Sequence, residues 1–82
     1  MRAAREAVES AERVLASARA GADQAQQVMN ITNISFRAGA GTNIEVIDAG
    51  RRARDADFAV AVSEDAVRRA RLELMTALGR FP

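Results

Sequence analysis

Few side chains in this sequence are equipped to do chemistry. Its 82 residues include 12 basic and 11 acidic ones but no His and no Cys. Without imidazole or thiol, the usual general base, the commonest metal ligand and the thiolate nucleophile are all missing. What remains is carboxylate and guanidinium. Asp55 and Asp57 stand two apart, a spacing that sends them to different sides of a helix. Glu45 and Asp48 stand three apart and share a helix face, so they can act together on a positive charge. Arg51, Arg52 and Arg54 form the tightest basic cluster, and Asp55 and Asp57 follow it closely, which blunts any phosphate site. Base stacking would have only Phe36, Phe58 and Phe81 to use. With a formal net charge of +1, the chain is expected to bind no nucleic acid, to catalyse no reaction, and to hold no cofactor or metal.

The elements that position these groups are helical. Ala, Arg, Glu, Gln and Leu dominate, and all are good helix formers. Basic and acidic residues interleave (Arg2, Arg5, Glu6, Glu9, Glu12, Arg13), as on a solvated helix face laced with ion pairs. The densest break is Ala38-Gly39-Ala40-Gly41, followed by Thr42-Asn43-Ile44-Glu45. Thr with Glu three residues on is a capping box, and Gly39 suits the C′ position of a preceding helix. The expected architecture is all-α: a helix over about 2–37, a turn at 38–41, a second helix over about 43–78, and one helical hairpin across 1–82. At 1.5 Å per residue each helix runs roughly 50 Å. Gly21 and Gly50 fall inside the helices at a cost of up to about 1 kcal/mol each relative to Ala. No stretch approaches the roughly 20 apolar residues of a spanning helix, and the first residues are charged throughout, so this segment is not expected to insert directly into a membrane.

Heptad spacing is the strongest signal. In the first helix Ala4, Val8, Ala11, Leu15, Ala18, Ala22, Ala25, Met29, Thr32 and Phe36 follow steps of four and three, with Thr32 the one polar member. In the second helix Val46, Ala49, Ala53, Ala56, Val60, Ser63, Val67, Ala70, Leu74, Ala77 and Phe81 do the same, with Ser63 the exception. A repeat of 3.5 residues means a left-handed coiled coil, and a short turn makes its two helices antiparallel. A further apolar row lies beside each seam: Ala3, Ala7, Val14, Val28 and Ile31, then Ile47, Phe58, Val62, Leu72, Met75 and Leu78. A two-helix hairpin covers one stripe per helix, and its Ala-rich seam barely offsets an ordering cost of about 1.5 kcal/mol per residue. Membership of a larger helical barrel or bundle, or self-association of the isolated hairpin, is therefore expected.

The turn carries a family resemblance. Phe36, then Gly39 three residues on, then Glu45-Val46-Ile47-Asp48-Ala49 resembles the signature of the TolC-like outer-membrane efflux proteins: an aromatic, two residues, Gly, a short variable stretch, and a D/E-V-[LI]-D-A element. Ala56, Ala59, Ala66 and Ala70 match its spaced alanines, and Leu74-Met75-Thr76-Ala77-Leu78-Gly79 its closing Leu-x-x-Ala-Leu-Gly. The chain departs from the pattern with Phe36 where Tyr is common, Arg51 where Gln is usual, and Gly41 where some members carry Arg.

The resemblance implies a segment of a longer channel protomer, with leader and β-barrel outside this chain. The parent would be a homotrimer in efflux or type I secretion. This hairpin would be periplasmic, its tip docking a periplasmic adaptor protein. Arg37, Ala38, Gly39, Ala40, Gly41 and Thr42 match the adaptor-binding tip, and Glu45 and Asp48 the pore or gate positions. Arg37 would pair with one of these acids across the turn. Read from residues alone, Glu45 is also accounted for by the capping box and Asp48 by the helix dipole. The alternative to a channel hairpin is a generic Ala-rich coiled-coil interaction or oligomerisation module.

Overall fold

The computed structural model describes residues 2–79, which form two antiparallel helices joined by a tight turn. Helix α1 spans Arg2–Arg37 and α2 spans Asn43–Ala77. The molecule measures 62 × 18 × 12 Å, and no strand occurs among the described residues. The all-α antiparallel hairpin is the architecture expected. Helix α2 ends one residue earlier than expected, with Leu78 as its C-cap and Gly79 at φ +70° beyond it. Gly21 does not interrupt α1.

The turn follows from its residues. Gly39 lies in the left-handed region at φ +82°, where side chains with a Cβ are strained. Its N–H donates to the Phe36 carbonyl at 3.0 Å, and that of Ala40 to the Ser35 carbonyl at 2.8 Å. These two bonds make a Schellman motif and satisfy carbonyls that the end of α1 would otherwise leave orphaned. Helix α2 starts on the capping box. The Glu45 N–H donates to Thr42 Oγ1 at 3.2 Å, and the Thr42 N–H to Glu45 Oε1 at 3.0 Å. A cap of this kind contributes about 1 kcal/mol.

The seam follows the heptads. Along α1 the residues from Ala4 to Thr32 in steps of three and four are all half-buried, and the residues between them up to Ile31 are exposed. Along α2 the positions from Val46 to Leu74 are half-buried or buried, with Ala49, Ala53, Ser63 and Val67 the most enclosed. If the seam positions are labelled a and d, with Val8 and Val46 both a, the two cross-helix ion pairs join e to e. Arg19 Nη2 lies 3.3 Å from Glu64 Oε2, and Arg71 Nη2 lies 3.0 Å from Glu12 Oε2. Pairing of e with e is the arrangement of an antiparallel coiled coil.

Among the described residues two expected seam members leave the line. Phe36 is exposed, because the returning chain crosses the backbone at the end of α1: a Cβ on Gly41 would lie 3.5 Å from the Phe36 nitrogen. Asn33 and Ser35 are half-buried there instead. Ala77 is exposed and Leu78 half-buried, the direction in which a 3.6-residue helix drifts against a 3.5-residue repeat. Phe81 lies outside the described residues.

Candidate functional site

Two surfaces are candidates: the tip, and the apolar side chains outside the seam. At the tip, Arg37 ends α1 and is exposed, as are Ala38, Gly39, Ala40 and Thr42, while Gly41 is half-buried. The structure thus brings all six expected tip residues together at one end of the hairpin. Glu45 and Asp48 follow within the first two turns of α2, both exposed. Each is engaged within its own element. Glu45 accepts bonds from the backbone and the hydroxyl of Thr42, the latter at 2.9 Å. Asp48 Oδ2 lies 3.0 Å from Arg52 Nε, one turn further along.

The expected ion pair from Arg37 across the turn does not form. No ion pair of Arg37 occurs among the described residues. The physical reason is competition: Thr42 holds Glu45 in the cap, and Arg52 meets Asp48 at the favourable i,i+4 spacing. The basic cluster is dispersed likewise, since Arg51, Arg52 and Arg54 occupy three different heptad positions and Arg52 is committed to Asp48. No group of His, Cys, Asp and Glu able to hold a metal occurs among the described residues. No helix there is long and apolar enough to cross a membrane.

The second apolar row is exposed nearly throughout. Val14, Val28 and Ile31 on α1, and Ile47, Phe58, Val62, Leu72 and Met75 on α2, all stand outside the seam. Phe58, at 71% exposure, is the largest of these side chains. Leu78 alone turns inward. Large apolar groups exposed in this number make these side chains a candidate interaction surface.

Two residues of this kind escaped the heptad reading, Ile34 and Ile44, the latter 78% exposed. Both occupy position f, pointing directly away from the partner helix. Together with Ile31, Phe36 and Ile47 they ring the tip with apolar side chains within about two turns of the loop. The signal was available: between Arg19 and Arg37 the only charge on α1 is Asp23.

Charge is distributed unequally between the helices. On α1 every charged residue occupies position b, e or f. The c and g positions from Ala3 to Ser35 carry none. On α2 charges occur on every non-seam position. Set against models of protein families, curated proteins and solved structures, the chain matches none.

Proposed function

We propose that this hairpin is a helix-packing module that assembles with further helices through the apolar side chains its own seam leaves uncovered. The observation behind this reading is an inversion of size. Alanine, serine and a single valine fill the most enclosed positions, while Phe58, Leu72, Ile31 and Val14 face solvent. Small seam residues let two helices approach closely but bury little area, and the larger apolar groups are left for a neighbour. The role we propose is mechanical: several of the charged side chains pair on the surface, Asp48 with Arg52, Asp65 with Arg69 and Glu12 with Arg71. Self-association is the simplest form of such assembly. Its test is the molar mass of the chain across concentration, with Phe58→Ser and Leu72→Ser as the disrupting pair. Assembly of the parent chain and its loss in the double variant support the reading; a monomer at all concentrations sinks it.

A second, narrower reading is favoured by the tip. An exposed Schellman turn with Gly39 at positive φ, an apolar ring around it, and acids at Glu45 and Asp48 is what a docking tip needs. Joined to the resemblance at Phe36–Ala49, it supports reading this chain as the periplasmic hairpin of a TolC-like efflux or secretion channel. Its partner would be the coiled-coil hairpin of a periplasmic adaptor, and the parent would be trimeric. Pull-down of such an adaptor hairpin, with Gly39→Pro as the control, tests this. Proline cannot adopt φ +82°, so equal capture by both chains would eliminate the tip role.

A further inference from the structure

The hairpin has two unlike sides. One groove between the helices is lined by Leu15, Arg19, Glu64, Val67, Arg68 and Arg71, and carries both cross-helix ion pairs. The opposite side shows Gly21, Gln24 and Val28 beside Ala49 and Arg52. Further from the tip it shows Ala7 and Ala11 beside Ala66, Arg69 and Glu73. On α1 this second side is the charge-free c and g row. On α2 it has an apolar centre, Ala59, Val62 and Ala66, flanked by Arg52 and Asp55 towards the tip and by Arg69 and Glu73 away from it.

That order is complementary to its own reverse. If a second copy is turned end for end about Val62, Asp55 comes opposite Arg69 of the second copy, and Arg52 comes within one residue of the level of its Glu73. Val62 then meets itself, and Ala59 comes within one residue of the level of Ala66. We propose that the chain forms an isologous antiparallel dimer through this face, centred near Val62, with two Asp55–Arg69 and two Arg52–Glu73 pairs across the twofold axis. The proposal rests on the self-association reading above and adds to it the face, the polarity and the pairing.

Three further observations support it. Among the described residues Asp55 and Glu73 make no ion pair within the hairpin, so each has a charge to offer, while Arg52 and Arg69 would share their guanidinium groups between these acids and their own i,i+4 partners, Asp48 and Asp65. The surface area has room for such a contact. A compact monomer of 8.8 kDa exposes about 4,800 Å². This chain exposes 6130 Å², and the excess is larger than the roughly 800 Å² that each partner buries in an interface of ordinary size. Finally, the Arg19–Glu64 pair puts Gly21 within about one helical turn of the level of Val62. Nothing lies within 4 Å of a Cβ added at Gly21, so the hairpin itself does not require glycine there, whereas a helix crossing at the twofold axis would.

The competing arrangement lays two hairpins face to face, tip beside tip. It stacks the charges of α2 on the charge-free row of the other copy's α1 and leaves them without partners, at a desolvation cost. End-for-end packing avoids this.

The chain lacks cysteine, so single cysteines report proximity cleanly. Under mild oxidation of the full chain, Val62→Cys should form a disulfide-linked dimer and Ala40→Cys, at the tip, should not. Arg69→Glu should weaken dimerisation by about tenfold, and Asp55→Arg added to the same chain should restore it by recreating the pair with signs exchanged. Circular dichroism of each variant shows whether the hairpin remains folded. Cross-linking at Ala40 but not at Val62, or absence of rescue in the folded double variant, would overturn this arrangement while leaving self-association standing. A monomer at every concentration would overturn both.

Discussion

The seam and the outer row of this hairpin are built from similar residue types and meet opposite fates. Ala53 and Val67 are 5% and 4% exposed, while Val62, on the same helix and between them, is 48% exposed. The difference is one of phase. Residues 53 and 67 fall on the 3.5-residue repeat, whereas Val62 falls off it, between Val60 and Ser63. The comparison teaches that the small residues fix where the two helices touch, and that the large ones describe what the pair has yet to touch. A self-sufficient hairpin would be expected to put Phe58 and Leu72 inside and its alanines outside.

The sharpest way to break this contrast is to place the same charge on both rows. Ala53→Asp buries an unpaired carboxylate in the seam, at a cost of about 3–5 kcal/mol. That is a large part of the stability of any small domain, so helicity by far-UV circular dichroism should collapse. Val62→Asp should leave the helicity of the monomer within about 0.5 kcal/mol of the parent and act on association alone. Equal losses of helicity would erase the distinction between the rows.

The tip supplies intermediate effects. Gly39→Ala forces a Cβ into the left-handed region and should cost about 1–2 kcal/mol in thermal unfolding. Thr42→Ala removes the acceptor of the Glu45 N–H and should cost about 1 kcal/mol, a fall in Tm of about 4–8 °C for a chain of this size. The smallest effect belongs to the charged rim. Glu64→Gln breaks the pair with Arg19, both partners being solvent-exposed, and should cost less than about 1 kcal/mol. That loss should shrink further at high salt.

Much of the fold was legible in advance, for identifiable reasons. The seam from Ala4 to Thr32 and from Val46 to Leu74 could be read off because a 3.5-residue period is a geometric consequence of two helices in contact. The turn was legible because Gly39 and the Thr42–Glu45 box are local motifs that need no tertiary context. Legibility failed where context decided. Phe36 lies on the heptad but beyond the last point where α2 can cover it. Arg37 has two carboxylates nearby in sequence, and each had a better partner closer at hand. Ile34 and Ile44 share position f with Phe58 and Leu72, which the second apolar row includes, so the heptad frame held the signal for them too. The chemistry of the candidate site, by contrast, is mostly surface pairing, which sequence spacing alone conveys for Asp48 with Arg52 and Asp65 with Arg69.

The central claim is that the outer apolar row exists to be covered. Sedimentation equilibrium of the parent chain beside the Phe58→Ser, Leu72→Ser double variant, over a wide range of concentration, tests it most directly. The account predicts concentration-dependent assembly of the parent, with helicity rising as it assembles, and a monomer of undiminished intrinsic helicity for the variant. A parent chain that stays monomeric and melts cooperatively at every concentration would contradict it.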